Sequence, residues 1–430
     1  MTGAMTGDRL HRSLDALWRM ESPRLVARIA RMTGDIDTAE ELAQDVLIAA
    51  LQRWPRDGLP DNPAAWLMAT AKHRAIDHLR QRALHAGKQA EYAAELQLHG
   101  AGMVHDSTDD SADAHADDDI GDDLLRLVFV ACHPALPLES RVALTLRLLG
   151  GLTTAEIARA FLQPEATVAQ RIVRAKRTLA EKRVPFEVPR KAALAERLDA
   201  VLEVIYLVFN EGYAASTGED WMRPALCEEA LRLGRVLVGL LPQQAEAAGL
   251  LALMELQASR AKARIAADGS PVLLLEQDRA RWDRLQIQRG LNALATAQRL
   301  GGAQGRYALQ AAIAACHARA PRAGDTDWSR IAALYAMLAL VQPSPVVELN
   351  RAVAVGKSQG PVAALALVDA LRDAAQLRDY GLLYAVRGDL LEQLGHRDEA
   401  CSEFERAASL ATNARDRELM QARANACAAP

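Results

Sequence analysis

Thr167, Gln170, Arg174 and Arg177 are spaced so that a helix turning about 100° per residue carries them on one face, flanked by Arg171 and Lys176. Arginine presents a fork to guanine or phosphate, and glutamine a donor–acceptor pair to adenine. Such a face can therefore hydrogen-bond base edges in a major groove. Val168, Ile172, Ala175 and Leu179 fall on the opposite side and supply an apolar seam, so the spacing predicts a helix over 165–181. The residues before it must hold it in place. Thr153 and Glu156 read as a capping box, and Leu152, Ile157, Ala158 and Phe161 as the apolar contacts of a short first helix. Pro164 suits the first position of the second helix, where a missing N–H goes unnoticed. The whole of 152–182 reads as a helix-turn-helix. The same letters also fit an amphipathic hairpin with a solvated basic face.

Two further segments carry charge in a pattern. In DTAEELAQDVLIAALQRW (37–54), Asp37 or Thr38 is placed to cap a helix. Leu42, Val46, Ala50 and Trp54 should face the core, leaving Glu41, Gln44, Asp45 and Gln52 exposed. In PAAWLMATAKHRAIDHLRQR (63–82), Trp66, Leu67, Ala71, Ile76 and Leu79 mark a buried stripe. Lys72, His73, Arg74, His78, Arg80 and Arg82 make that helix basic and able to neutralise phosphates.

The chain has 430 residues, half of them apolar and only 4% aromatic. Ala and Leu dominate and period-two alternation is scarce, which predicts an all-α protein. The net charge of −4 is unevenly spread. Residues 8–82 form one helical block. Residues 83–121 are polar and carry Asp106, Asp109, Asp110, Asp113, Asp117, Asp118 and Asp119, a composition expected to be disordered or extended. Residues 122–183 form a second block, VPFEVP at 184–189 reads as a hinge, and 190–430 is a long helical region. Within it Gly388, Leu391, Ala400, Phe404 and Ala407 have the spacing of the packing positions of a tetratricopeptide repeat, and Ala352, Val355, Ala364, Val368 and Leu371 repeat it upstream.

Five cysteines (Cys132, Cys227, Cys316, Cys401, Cys427) are scattered without metal-ligand spacing and read as reduced, mostly buried thiols; no metal or cofactor is expected. The opening MTGAMTGDRLHRSL lacks the apolar core of a signal peptide, and no run approaches a membrane span of ~20 apolar residues. A cytoplasmic chain without a membrane segment is expected. Enzyme motifs such as GxxxxGK[ST], HExxH and GxSxG are absent, and Gly301, Gly302 and Gly305 follow no strand, so no catalytic activity is expected.

The order of these parts resembles the extracytoplasmic-function class of bacterial RNA polymerase sigma factors over 8–183. The motifs are D-x-A-E-E-L-x-Q-D, then A-W-L-x-x-x-A-K-H-R-A-I-D-H-L-R-x-R, an acidic linker and the helix-turn-helix. IYLVFNEGYAAS (205–216) and PSPVVELNRAVAV (343–355) further resemble a subgroup with a tetratricopeptide-like C-terminal extension. The resemblance implies two sigma domains and a large helical domain, with core RNA polymerase (β′ clamp helices and β flap) and promoter DNA as partners. It implies that Asp37, Glu40, Glu41, Gln44 and Asp45 dock on the clamp helices. Lys72, His73, Arg74, Asp77, His78, Arg80 and Arg82 would meet the upstream edge of the −10 element. The 55–63 loop, with Asp61 and Asn62, would read a flipped base, and Thr167, Gln170, Arg171, Arg174 and Arg177 the −35 element. Leu162 stands where the turn usually has Gly, and Ala169-Gln170 replace a commoner Lys-Ser pair. In the family the linker threads the RNA exit channel, where aspartates would mimic RNA; a solvated spacer explains them equally. The extension is expected to regulate activity in place of a separate anti-sigma factor, its groove holding a protein, a peptide or the chain's own sigma domains.

Asn210, Glu211 and Tyr213, with Phe209 and Gly212, suggest a regulatory ligand site; a helix end explains the same letters. Trp221, Trp282 and Trp328 read as core or groove-lining residues, and His317 and His396 as surface or core. Two other functions use the same parts. One is a polymerase-independent helix-turn-helix regulator, against which the acidic 37–45 face argues. The other is a tetratricopeptide scaffold without promoter selectivity.

Overall fold

The computed structural model describes residues 7–96, 116–161, 163–189, 191–214, 222–266, 270–411 and 413–428. Among them every regular element is a helix, and the one β-type pairing is an isolated bridge between Ile265 and Pro271. The chain divides into two compact units, one up to Val204 and one from Ile205.

In the first unit α1 (Gly7–Thr33), α2 (Ile36–Asp57) and α3 (Pro63–Leu96) pack on one another. The buried stripe of α2 is Ala39, Ala43, Val46, Ala50 and Trp54. Leu42, expected in it, is half-buried, because the 3.6-residue turn brings Ala43 to the centre of the face. On α3 Leu67, Ala71 and Ala75 are buried, while Ile76 and Leu79 are half-buried. Trp54 and Trp66 meet edge to face with centroids 5.4 Å apart.

The segment expected to be disordered or extended is helical at both ends. α3 runs on to Leu96 and α4 (Ala116–Ala131) opens before residue 121. Residues 83–96, ALHAGKQAEYAAEL, are mostly good helix formers, and a helix already nucleated has only to propagate. Asp106, Asp109, Asp110 and Asp113 lie outside the described residues. α5 (Leu138–Leu148), α6 (Thr154–Ala160) and α7 (Glu165–Glu181) complete the second block, and α8 (Lys191–Tyr213) follows. α8 begins within the first unit, where Arg197 donates to the Phe129 carbonyl at 2.7 Å and Arg141 pairs with Glu203 at 3.2 Å. The division between the units falls inside α8, and the expected hinge at 184–189 lies within the first unit.

One buried carboxylate joins the first two blocks. Asp123 of α4 is 1% exposed and meets Arg28 (3.2 Å) and Arg31 (3.3 Å) of α1, besides Arg126 of its own helix (2.5 Å). A carboxylate out of water needs such partners, because its desolvation is repaid only by close opposite charge.

The second unit continues with α9 (Pro224–Leu240), α10 (Ala245–Ala258), α11 (Arg284–Arg299), α12 (Arg306–Arg319), α13 (Trp328–Val341), α14 (Pro345–Gln359), α15 (Pro361–Asp369), α16 (Gly381–Gln393), α17 (Arg397–Leu410) and α18 (Ala414–Ala428). α12 packs more on α10 than on α11, and from α13 onward each helix packs chiefly on its neighbours along the chain, as in a helical repeat array. Gly388, Leu391, Ala400, Phe404 and Ala407 are all buried, as are Ala352, Val355, Ala364 and Val368, while Leu371 is half-buried. A Cβ at Gly388 would lie 2.9 Å from the Phe404 ring, which is why a glycine sits at that crossing.

The cysteines are structural. Burial pushes the Cys132 thiol to about 11 and the Cys227 thiol to about 12, so neither is a thiolate at neutral pH. All five are free of disulfides.

Asp123→Ala strips three arginines of their common partner and should destabilise the first unit by about 3–5 kcal/mol. A lowered urea midpoint, with faster amide hydrogen exchange in α1 and α4, is the expected outcome. An unchanged midpoint would show that the arginines are solvated rather than held.

Candidate nucleic-acid interface

The helix-turn-helix is built locally as its sequence requires. Thr153 Oγ1 accepts from the Glu156 N–H at 3.1 Å, and Glu156 Oε2 accepts from the Thr153 N–H at 2.8 Å. The capping box thus satisfies two donors that α6 would otherwise leave orphaned. α7 has the expected span of 165–181, but Pro164 is not its first helical residue. Pro164 has extended backbone and is the cap, and Glu165 is the first helical residue. Leu162 lies outside the described residues. Val168, Ile172, Ala175 and Leu179 are the buried face of α7.

Opposite them, Thr167, Gln170, Arg174 and Arg177 are exposed, as a base-reading face must be. Arg177 donates to Glu181 at 2.6 Å along the surface. Arg171 is half-buried and donates to Gln163 Oε1 at 2.8 Å, tying α7 to the turn before it. On α3, Lys72, His73, Asp77, Arg80 and Arg82 are exposed and His78 is half-buried. Arg80 lies 4.0 Å from Asp77 and Arg74 pairs with Asp45 of α2 at 2.9 Å. Asp61 and Asn62 are exposed at the start of α3, where Asn62 Oδ1 accepts from the Ala65 N–H at 3.1 Å and caps the helix.

The cap of α2 is Asp35, rather than Asp37 or Thr38. Its carboxylate accepts from the N–H groups of Asp37 (3.3 Å) and Thr38 (3.2 Å) and from the Thr38 hydroxyl (2.6 Å). Burial alone would raise this carboxyl, but the hydrogen bonds outweigh burial and hold it below its ordinary 3.8. The cap is therefore fully formed above that value and is lost as pH falls through the lowered one.

The acidic face of α2 is not open along its whole length. Glu41, Gln44 and Asp45 are exposed. Lys176 of α7, however, reaches Asp37 at 2.6 Å and Glu40 at 2.5 Å, and Arg147 of α5 reaches Glu40 at 2.9 Å. The side chains of Glu40 and Lys176 are only 12% and 13% exposed. Burial alone would lower the Lys176 ammonium, but Glu40 and Asp37 overcome it and hold it above the ordinary lysine value. Clefts of about 480 and 240 Å³ flank these ion pairs, so the contact is made by charge more than by close packing. Sequence reasoning placed Lys176 beside the DNA-reading face. Its partners stand more than a hundred residues away, and no periodic signal connects them.

In the second unit Glu211 pairs with Arg223. Tyr213 is buried, stacked on Phe209 (5.5 Å), with the Arg264 guanidinium 3.6 Å from its ring centroid and Arg260 donating to its hydroxyl at 2.7 Å. Asn210 hydrogen-bonds Tyr206, and a Cβ at Gly212 would lie 2.5 Å from the Cys227 nitrogen. α8 ends at Tyr213, so these residues form its last turn, as the helix-end reading has it. Trp221 lies outside the described residues, while Trp282 is buried. Among the described residues no group of His, Cys, Asp and Glu could hold a metal, and no helix is long and apolar enough to cross a membrane.

Residues 17–84 match Sigma-70 region 2 and residues 126–179 match Sigma-70 region 4. The ECF RNA polymerase sigma factor SigK of Mycobacterium ulcerans is 32% identical over 153 residues, covering 35% of this chain and 74% of that protein. The chain belongs to the extracytoplasmic-function RNA polymerase sigma factors. Its C-terminal half is an extension beyond the two sigma regions, and residues 197–298 match a family of unknown function, DUF6596. An uncharacterized protein of Rhizobium meliloti is 46% identical over 392 residues, covering 91% of this chain and 90% of its own, and so shares both halves. Yeast Tom70 aligns with 98% of this chain and 85% of its own at 11% identity and a TM-score of 0.37, a likeness too slight to assign a fold.

Lys176→Glu would set a third carboxylate against Asp37 and Glu40. Hydrogen exchange at the start of α2 and in α7 should accelerate about tenfold, the equivalent of some 1.4 kcal/mol of lost contact. Unchanged exchange would mean that α7 is held to α2 by something other than these charges.

Proposed function

We infer that this sigma factor binds core RNA polymerase through the acidic face of α2 and reads promoter DNA with α3 and α7. The observation that carries the reading is the pairing of an exposed Thr167–Gln170–Arg174–Arg177 face with an intact capping box and apolar seam, in the same unit as a basic α3. Gln170 and Arg174 supply base-edge hydrogen bonds at the −35 element, and Arg171 and Arg177 phosphate contacts that fix register. Lys72, His73, Arg80 and Arg82 neutralise backbone upstream of the −10 element, beside Asp77 and His78. Asp61 and Asn62 sit where an unstacked base can be read by its edge. Asp37, Glu40, Glu41, Gln44 and Asp45 form the polymerase face, an anionic surface that DNA would repel.

On this reading the free chain is closed. Lys176 and Arg147 cover Asp37 and Glu40, so docking on polymerase exchanges an intramolecular ion-pair set for an intermolecular one. The DNA-reading face of α7 is not the covered one. What closure withholds is the polymerase face and the separation of two modules that must reach two promoter elements together. The C-terminal unit is the regulatory half, offering its helical array to a protein, a peptide or the sigma domains themselves in place of a separate anti-sigma factor. The cytoplasm is where core polymerase and promoter DNA are met.

The test is run-off transcription by core polymerase on genomic promoter fragments, with and without the full chain. Transcripts that require the added protein are expected. Gln44→Ala with Asp45→Ala should abolish co-purification with core polymerase. Arg174→Ala should cost about 1–3 kcal/mol at −35 sites and relax their sequence preference. DNA binding without any protein-dependent transcript would contradict the reading and favour a polymerase-independent regulator.

A further inference from the structure

The second unit contains a cleft of about 380 Å³ that promoter recognition does not use. It opens among α8, α10, α12, α13 and α14. Its apolar side is made by Leu253, Ile313, Leu338 and Val347, and its polar side by Arg260, His317, Gln257, Tyr335 and Asn350. That size suits a small organic molecule, and an apolar lining with a few convergent polar groups is the common form of such sites.

The charge of the lining is one-sided. Among the described residues, Arg260 is its cation and no Asp or Glu lines the cleft. The guanidinium is already oriented: it donates to the Tyr213 hydroxyl at 2.7 Å and lies 5.8 Å from the ring centroids of Tyr213 and Trp282. Among the described residues it has no carboxylate partner. A half-buried arginine fixed by neutral groups, with donors to spare, is a ready seat for a planar carboxylate.

His317 marks the same end. It is 9% exposed, its ring meets Trp328 edge to face at 5.2 Å, and its Nδ1 has no hydrogen-bond partner among the described residues. Burial, with Arg260 and Arg279 nearby, pushes it down to about 4, so the ring is neutral at pH 7. Its backbone is pinned by Arg279, which donates to the carbonyls of His317 (2.7 Å) and Ala320 (2.6 Å). The wall is therefore rigid, and the arginine is left as the anion-binding group.

We propose that this cleft binds an amphipathic carboxylate, its anionic end on Arg260 and its apolar body against Leu253, Ile313, Leu338 and Val347. A free organic acid and the terminal carboxylate of an apolar peptide share that chemistry. The site gives the C-terminal unit a chemical input, and it stands whether or not the promoter reading does. It lies on the Tyr206 side of α8, away from the Glu211–Arg223 pair.

The experiment is isothermal titration of the full chain with straight-chain carboxylates from butyrate to decanoate, 3-phenylpropionate, and the tripeptide Ala-Leu-Phe with free or amidated C-terminus. Binding that tightens with chain length to a Kd of about 1 mM or better is expected. 3-Phenylpropionamide and the amidated peptide should bind about 10- to 100-fold more weakly than the acids. Preference for the tripeptide over every free acid would identify a chain terminus as the occupant, and the reverse a small acid. Arg260→Gln should remove the acid-over-amide preference. Ala314→Phe, which fills the cleft while leaving Arg260 in place, should remove binding altogether, with circular dichroism confirming that both variants fold. Acid and amide binding alike, no acid binding at 10-fold above that Kd, or full binding by Ala314→Phe would each overturn the proposal.

Discussion

Glu40 is the residue on which the arrangement of the N-terminal unit turns. Its carboxylate is largely removed from water and is met by Lys176 of α7 and Arg147 of α5. Each partner belongs to the helix-turn-helix block, whereas Glu40 belongs to α2. Together with Asp123, which ties α4 to α1, it holds the two DNA-reading blocks side by side. The two attachments differ in kind. Asp123 is fully buried among three arginines, and breaking it leaves an uncompensated charge in the core. The Glu40 set is less deeply buried, with Glu40 12% exposed, and is flanked by clefts through which water can reach it. On the proposed reading, a firm attachment beside a releasable one suits a protein that keeps its fold and yet exposes an acidic face to polymerase.

The C-terminal unit works by different physics. Its helices meet through small residues, as at Gly388 against Phe404, and from α13 onward each helix packs chiefly on its chain neighbours. Its helix junctions leave clefts. One of them brings Arg260, from the turn after α10, beside Tyr335 of α13 and Asn350 of α14. Binding there would change how neighbouring helices pack, which is how a repeat array can turn ligand occupancy into a change of shape.

What the sequence disclosed was whatever is written at short range. The seam Val168–Ile172–Ala175–Leu179 and the Thr153–Glu156 capping box rest on separations of a turn or so, where helical geometry leaves one answer, and the glycine and alanine positions of the repeat on a pattern that recurs in adjacent helix pairs. The cap of α2 is Asp35 rather than Asp37 or Thr38, because these nearby cap formers differ only in which one the preceding turn leaves extended. The polar stretch after residue 82 was expected to lack structure because of its aspartates, although its first part is alanine-rich and follows an established helix. The pairing of Lys176 with Asp37 and Glu40 and the Arg260 cleft depend on tertiary placement, which one sequence without its fold does not encode visibly.

The account stands on α7 and core polymerase competing for one face of α2. Spin labels at two exposed positions, Gln52 on α2 and Ala166 on α7, would report their separation by pulsed electron resonance in the free chain and in its complex with core polymerase. A single short distance in the free chain, replaced by a distinctly longer one on polymerase, is the predicted result. The same distance in both states would contradict it, because the acidic face would then serve polymerase without ever releasing Lys176.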